Sequence, residues 1–145
     1  HVIDFLEEIK SYEYVLMGGN TYKYGFQFGL QPGQPSYSGI KHIVFSKTLT
    51  FESNQYVQLI KENSIHFIKE LKKSANGKIW LCGGAKLAGQ LLENDLIDKV
   101  KLKINPTVVG KGIPLFQNIQ KNIRLKLIGY KKYENGVIFS EYLIS

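Results

Sequence analysis

Two short apolar runs, each followed by a pair of glycines, constrain the fold of this chain more than any other feature. Residues 14–17 lead into Gly18-Gly19, and residues 78–81 lead into Cys82-Gly83-Gly84. An apolar run of this length is typical of a buried strand, and the glycines predict a tight turn at its end. The residues after each turn fit the start of a helix. The same strand, turn and helix unit is therefore expected twice.

The rest of the chain continues this alternation of strands and helices. Apolar residues at helical spacing predict helices, and short continuous or alternating apolar runs predict strands. The predicted helices cover residues 2–10, a segment from about residue 22 that Asn20 or Thr21 can cap, residues 65–71 and residues 85–94. The predicted strands cover residues 43–45, 56–60, 100–104, 124–133 and 137–144, the last two joined by a hairpin turn at Asn135-Gly136. Residues 1–145 are thus expected to form one α/β domain, with a mixed, mainly parallel sheet, helices on its faces and a C-terminal antiparallel hairpin.

Composition narrows the function classes. The 145 residues are 43% hydrophobic and 21% charged, which is typical of a folded domain. The net charge of +7 favours an anionic ligand, but no run of five basic residues indicates a nucleic-acid-binding arm. The single cysteine, Cys82, excludes an internal disulfide and a multi-thiolate metal site, so we expect no metal and a reducing, cytoplasmic location. No apolar stretch is long enough to predict a membrane span.

The two glycine turns have the chemistry of a phosphate-binding site. Both follow predicted strands and precede predicted helices, which is where open α/β sheets bind ligands. Glycine lets the backbone approach a phosphate closely, and the first helical amides and the helix dipole favour its negative charge. Neither turn contains Gly-x-Gly-x-x-Gly or Gly-Lys-Ser/Thr, so the common dinucleotide fingerprint and the P-loop are both excluded.

These segments resemble a known family. Residues 15–22 (Val-Leu-Met-Gly-Gly-Asn-Thr-Tyr) are similar to the Val-Met-Gly-Arg-x-Thr-Tyr/Trp segment of dihydrofolate-reductase-like proteins. Residues 79–87 (Ile-Trp-Leu-Cys-Gly-Gly-Ala-Lys-Leu) and 105–116 (Asn-Pro-Thr-Val-Val-Gly-Lys-Gly-Ile-Pro-Leu-Phe) resemble one branch more closely. That branch is the reductase domain of riboflavin biosynthesis and its stand-alone bacterial relatives. The resemblance covers nearly the whole chain and implies a three-layer α/β/α fold.

The resemblance also implies a cofactor, NADPH, and the residues that hold it. Ser46 and Lys47 match the positions where the family binds the adenosine ribose and its 2'-phosphate, and the other implied contacts lie in or beside the two turns. The implied contacts are Gly18, Gly19, Asn20, Thr21, Ser46, Lys47, Gly83, Gly84, Ala85, Lys86 and Leu87. No catalytic residue is assigned. Asp4 lies near the position of the family's proton-handling acid but is interpreted as a solvated helix residue, and His42, His66 and Cys82 are interpreted as structural or exposed.

The chain departs from the family at two places. Gly19 stands where the family usually has arginine, so a bidentate contact with the 2'-phosphate is missing there and position 19 does not select NADPH over NADH. The family also begins with a strand and a flexible loop, often containing Ser-x-Asp-Gly, that forms the middle of the sheet and one wall of the substrate site. Nothing before Val2 supplies that strand, so we expect further upstream residues in the functional protein.

Three function classes follow. The favoured one is an NADPH-dependent reductase of a pteridine-like or aminopyrimidine substrate, which the basic surface predicts to be anionic. The riboflavin-pathway reaction is one case. The second is a non-catalytic nucleotide-binding protein of the same fold. The third, a nucleic-acid-binding module, is disfavoured because the aromatic residues fall in core patterns. A homodimer is expected through the C-terminal hairpin, whose apolar set includes Val137, Phe139 and Leu143.

Overall fold

A four-stranded parallel sheet forms the larger half of the molecule. The computed structural model describes all 145 residues. The strands of this sheet are β1 (Tyr12–Gly18), β2 (Lys41–Phe45), β3 (Val57–Ile60) and β4 (Lys78–Gly83), in the order β3-β2-β1-β4. All three neighbouring pairs are parallel. Their carboxyl ends therefore lie along one edge, and the two glycine turns follow the two adjacent strands β1 and β4.

Helices cover both faces of the parallel sheet. They are α1 (Val2–Ile9), α2 (Gly19–Tyr24), which runs into a 3-10 helix (Gly25–Phe28), α3 (Ser64–Ser74) and α4 (Ala85–Glu93). Alternate residues of β1 point to opposite faces. Val15 and Met17 join a core with Ile9 and Tyr22, whereas Leu16 joins a second core with the buried residues of α3 and α4. None of the helices has the length and apolar character that a bilayer crossing requires.

The C-terminal third of the chain forms a three-stranded antiparallel sheet. Its strands are β5 (Lys99–Ile104), β6 (Leu125–Lys132) and β7 (Ile138–Ile144), in the order β5-β7-β6. The α/β class and the C-terminal antiparallel pairing are confirmed. The hydrogen bonds, however, form two sheets rather than one mixed sheet, because β4 and β5 each pair on one side only.

Helix α1 joins the two sheets through its side chains. Phe5 packs edge-on against Trp80 of β4, with ring centroids 5.8 Å apart. Glu8 forms an ion pair with Lys101 of β5, and the Asp4 carboxylate lies 2.7 Å from the Lys131 ammonium of β6. Phe5 and Ile9 thus meet the parallel sheet and the acidic residues meet the antiparallel one. Val2, Ile3 and Leu6 of the same helix are exposed.

The two faces of the antiparallel sheet differ in polarity. Directly paired residues lie on the same face. The pairs Lys99–Leu143, Lys101–Glu141 and Lys131–Phe139 lie on a basic face. The pairs Val100–Tyr142, Leu127–Tyr142 and Tyr130–Ser140 lie on the opposite, apolar face.

The apolar residues expected to pair two copies do not share one exposed face. Phe139 and Leu143 lie on the basic face, and the His1 ring lies 6.3 Å from the Phe139 ring. Val137, just before β7, is buried within the chain. The alternation of β7 alone does not say which of its faces the rest of the chain covers, and the homodimer itself stays a prediction.

Residues 105–124 connect β5 to β6 without a helix or strand. The second half of this connection is fastened to α4: the Gln117 amide donates to the Ala85 carbonyl at 3.0 Å. Gly89 of α4 leaves the room for this contact, since a Cβ built there would lie 1.8 Å from the Gln117 carbonyl oxygen.

Candidate functional site

The two glycine turns meet at the carboxyl edge of the parallel sheet. Met17 pairs with Gly83 in the register of β1 and β4. A Cβ built on Gly18 would lie 3.4 Å from the Gly84 amide nitrogen and 3.8 Å from the Gly83 carbonyl oxygen. The peptide bond between Gly83 and Gly84 is cis, and Gly83 has φ of +138°, a conformation that side chains rarely adopt. The structure thus brings together the two turns that the sequence predicted separately.

Thr21 lies against the second turn. Its hydroxyl oxygen lies 3.3 Å from a Cβ built on Gly83 and 3.4 Å from one built on Gly84. A hydroxyl at this position can donate to an anion seated between the turns. Larger side chains on either glycine would fill that space.

The first turn of α4 presents free amides at the same place. Gly84 is its N-cap and provides no side-chain cap. The first hydrogen bond within the helix runs from the Ala88 amide to the Gly84 carbonyl at 2.9 Å. The amides of Ala85, Lys86 and Leu87 therefore have no acceptor within the helix. Together with the helix dipole they favour an anion.

The side chains of this turn have different environments. Leu87 is buried in the core beneath the helix, so only its amide is available to a ligand, whereas Lys86 is exposed. The positive charge of Lys86 is therefore available beside the free amides.

The first turn differs from its sequence prediction in how the helix begins. Asn20 and Thr21 are not caps: α2 begins at Gly19, its N-cap is Gly18, and no side chain caps it. Gly18 is extended, with φ of −72° and ψ of 161°. Asn20 and Thr21 therefore lie within the first turn of the helix rather than before it. Asn20 is exposed and Thr21 is partly buried.

Ser46 explains why glycine stands at position 19. A Cβ built on Gly19 would lie 2.7 Å from the Ser46 hydroxyl oxygen and 2.8 Å from the Ser46 Cβ. That hydroxyl is also the acceptor for the amides of Thr48 and Leu49, at 3.2 and 3.1 Å. Ser46 therefore holds its own turn and excludes an arginine at position 19. Lys47, next in the chain, is exposed.

Asp4 is held by the C-terminal hairpin. Its carboxylate accepts hydrogen bonds from the Lys131 ammonium at 2.7 Å and from the Tyr133 hydroxyl. The bond from Lys131 is the main cause that lowers the pKa of Asp4, and the bond from Tyr133 adds to it. Asp4 is thus an ion-paired residue that links α1 to the antiparallel sheet.

An aromatic surface that the sequence analysis missed lies beside the second turn. The rings of Tyr37 and Trp80 have centroids 5.2 Å apart, and Phe5 packs edge-on against Trp80. Cys82 lies in the same cluster, and burial raises the pKa of its thiol. The alternation of β4 predicts that Trp80 and Cys82 share a face, but nothing in the sequence predicts that Tyr37 crosses to them from a loop.

The histidines have structural or exposed positions. The buried His42 ring donates from Nδ1 to the Ile40 carbonyl at 2.8 Å and accepts from the Tyr37 amide at Nε2 at 3.2 Å. Its burial lowers the pKa of the ring. His66 is exposed on α3. No group of three or more His, Cys, Asp or Glu side chains is placed to hold a metal ion.

A comparison of the sequence with models of known protein families shows which family the chain belongs to. The model of the RibD C-terminal domain matches residues 40–139. The chain belongs to the RibD C-terminal domain family. Among curated relatives from Bacillus subtilis (strain 168), it is 30% identical to the uncharacterized protein YwjB over 92% of this chain and 74% of YwjB. It is 36% identical to the uncharacterized protein YyaP over 68% of this chain, and it spans 52% of the length of YyaP.

Solved structures carry the same fold. A candidate riboflavin biosynthesis protein from Shewanella sp. PV-4 has a TM-score of 0.78 at 23% identity, over 99% of this chain and 78% of that one. A diaminohydroxyphosphoribosylaminopyrimidine deaminase/5-amino-6-(5-phosphoribosylamino)uracil reductase from Thermotoga maritima has a TM-score of 0.70 at 18% identity, over 99% of this chain and 48% of that one.

The dihydrofolate-reductase-like fold is confirmed by a third structure. Dihydrofolate reductase from Enterococcus faecalis, complexed with NADP(H), has a TM-score of 0.65 at 14% identity, over 99% of this chain and 81% of that one. The family and these neighbours support a reductase of the riboflavin-biosynthesis and dihydrofolate-reductase-like kind.

Proposed function

We propose that this chain is an NADPH-dependent reductase that transfers a hydride to an aminopyrimidine or pteridine-like substrate. The observation that carries the proposal is the meeting of the two glycine turns beside the free amides of α4, with a Gly18 Cβ position 3.4 Å from the Gly84 nitrogen. The first reaction to test is the reduction of 5-amino-6-(5-phosphoribosylamino)uracil, which the Thermotoga maritima protein is described as carrying out.

The chain's own residues fit a dinucleotide diphosphate. The space at Gly83 and Gly84, the Thr21 hydroxyl and the amides of Ala85 to Leu87 would bind its oxygens, and Lys86 would add a positive charge. Residues 18–20 would approach it from the first turn. Because position 19 has no room for a side chain, Lys47 is the residue of this edge that we assign to the 2'-phosphate.

When bound, the cofactor supplies the hydride, and the protein supplies binding and orientation. The aromatic surface of Phe5, Tyr37 and Trp80 would stack a planar ring beside Gly83 and keep water from it. Asp4 is committed to Lys131 and Tyr133, so it is not assigned as the proton donor. The net charge of +7 would attract a phosphorylated substrate, and the single cysteine fits a cytoplasmic enzyme.

The test begins with NADPH titration followed by nicotinamide fluorescence, in the wild type and in Gly84→Asp. The wild type is expected to bind saturably. The variant is expected to lose binding at least a hundredfold, because the carboxylate fills the space by Thr21 and repels the diphosphate. Gly129→Asp is the matched control, since no atom lies within 4 Å of a Cβ built there and it is on β6. Equal affinity in all three proteins would contradict the placement of the site.

Turnover then separates enzyme from binding protein. The reductase predicts NADPH consumption with the aminopyrimidine or with a dihydropterin. Saturable binding without consumption of NADPH by either substrate would support the non-catalytic nucleotide-binding protein instead, and no binding of NADPH would overturn both.

A further inference from the structure

We propose that residues 107–115, called here the β5–β6 flap, close over the first turn of α4 when a dinucleotide binds there, and that Lys111 then contacts the diphosphate. The inference rests on the proposed function, because the ligand of the flap is the cofactor of that site. It adds a binding residue and a closing segment that the glycine turns alone do not provide.

The flap carries apolar side chains that nothing in the chain covers. Val108 is 99% exposed, Val109 68%, Ile113 79% and Leu115 56%. Four aliphatic side chains exposed within eight residues of one loop are unusual for a surface that stays in water, and exposed apolar side chains grouped in this way are typical of a binding surface. Closing against a bound ligand and the adjoining protein surface would remove them from water.

One end of the flap is fixed beside the cofactor site. The Gln117 amide donates to the carbonyl of Ala85, the first residue of α4, at 3.0 Å. Lys111 is six residues before Gln117, and an extended chain of six residues spans about 20 Å. The first turn of α4, with its free amides, is therefore within reach of Lys111 without any change in the Gln117 contact.

The middle of the flap has the freedom and the charge that closing requires. A Cβ built on Gly110 would meet no atom within 4 Å, and one built on Gly112 would meet only the Val109 side chain at 3.8 Å. Packing therefore does not require glycine at either position, and both glycines allow the backbone around Lys111 to turn. Lys111 forms none of the seven ion pairs of the chain. Its ammonium is free to move to a diphosphate.

Trypsin cleavage after Lys111 tests the closure. The protein is digested with and without NADPH at a concentration that nicotinamide fluorescence shows to be saturating. We expect NADPH to slow cleavage after Lys111 at least tenfold. Cleavage after Lys10 is the control within the same digest, because Lys10 lies between α1 and the amino end of β1, at the opposite edge of the parallel sheet. Its rate is expected to stay within twofold.

A pair of lysine variants and one double variant separate the charge of the flap from its apolar contacts. Lys111→Gln is expected to weaken NADPH binding about tenfold and to reduce its dependence on salt, whereas Lys10→Gln, the same change at the far edge, leaves both unaltered. Val108→Ser combined with Ile113→Ser keeps the cleavage site but is expected to reduce the protection to less than threefold. The thermal unfolding midpoint should hardly change, because Val108 is 99% exposed and Ile113 79% exposed, so serine removes little packing.

The outcomes are distinguishable. If NADPH binds and cleavage after Lys111 keeps its rate, the flap is overturned and the proposed function stands. If NADPH does not bind, the proposed function fails and the flap fails with it. Protection that rises with protein concentration in the absence of NADPH would show that a second copy covers these residues, and it would also overturn the flap.

Discussion

Gly89 lies in the middle of α4, where alanine would ordinarily stabilise the helix by about 1 kcal/mol relative to glycine. In this chain the added methyl would lie 1.8 Å from the Gln117 carbonyl oxygen and 2.9 Å from its carbonyl carbon. Both atoms belong to the backbone, so the segment around Gln117 must move away from α4 to make room for the methyl group. We expect Gly89→Ala to lower the free energy of unfolding by about 1–3 kcal/mol despite the gain in helix propensity, as measured by urea unfolding.

Gly129→Ala is the control for this prediction. No atom lies within 4 Å of a Cβ built at Gly129 on β6. The control is expected to change the free energy of unfolding by less than about 0.5 kcal/mol. If Gly89→Ala were as stable as Gly129→Ala, the contact between Gln117 and α4 would not be a feature of the folded protein.

His42 gives the stability a pH dependence near neutrality. The ring is buried as a neutral group, with the Tyr37 amide donating to Nε2, and burial lowers its pKa from the ordinary value of 6.5. The unfolded chain therefore binds a proton at His42 before the folded chain does. The stabilisation is fully present above about pH 6.5 and is lost as the pH falls below that value toward the lowered pKa of the folded state.

His42→Gln tests this prediction, because a glutamine amide can donate and accept but does not titrate. Urea midpoints measured from pH 8 to pH 5 should fall in the wild type and vary less in the variant. The lowered pKa values of Asp4 and Asp95 also make stability fall in acid, but only near and below pH 4. Identical slopes for the two proteins between pH 7 and pH 5 would contradict the assignment to His42.

Whether a residue of the candidate site could be predicted from the sequence depends on whether its position follows from a local pattern. The glycines of both turns could be predicted, because a buried strand ending in a glycine pair is a local pattern. The role of Ser46 could not, since it depends on the approach of Ser46 to Gly19 across two parallel strands. Tyr37 is a similar case: its contact with Trp80 depends on how a loop folds back over β4.

At the scale of elements, every predicted strand and helix is present, and their boundaries differ by a few residues. Helix α3 continues to Ser74, three residues beyond its prediction. Helix α2 begins at Gly19 rather than near Tyr22, because the backbone enters the helix directly from the turn. Apolar pattern predicts an element well when it matches the burial, as the continuous run does in β1 and the helical spacing of Ile68 and Leu71 does in α3. It gives no information on residues 105–124, whose position depends on contacts with α4.

The pairing of strands was less predictable than the strands themselves. The sequence led to one mixed sheet, whereas the hydrogen bonds form a parallel and an antiparallel sheet joined by α1. Ion pairs such as Glu8–Lys101 connect residues far apart in sequence. Local residue patterns do not predict which distant residues come into contact. The hairpin was predicted because its turn is local, but the register shift between Leu127 and Gly129 was not.

At the scale of the whole molecule, the net charge of +7 opposes self-association. The lysines of the antiparallel sheet are concentrated on one of its faces, so the other face can contact a second copy with little charge repulsion. Lys99, Lys101, Lys103, Lys126 and Lys131 all lie on the basic face of the antiparallel sheet, and only Lys132 lies on the apolar face. Leu127 is 51% exposed and Tyr130 is 67% exposed on that apolar face. We propose that this face, rather than the Val137, Phe139 and Leu143 set, pairs two copies in a homodimer.

The pairing prediction can be tested by replacing Leu127 with lysine. In a symmetric dimer the same patch meets itself, so each substitution places two charges in the contact and the effect is doubled. Light scattering after size exclusion should give a dimer for the wild type and a monomer for Leu127→Lys. Ile3→Lys is the matched control, because Ile3 is an exposed aliphatic residue of α1 and the charge added is the same. A dimer that survives Leu127→Lys but not Ile3→Lys would move the contact to α1. A wild-type monomer at roughly 100 µM, where a dimer with a Kd of about 1 µM would be mostly formed, would remove the contact altogether.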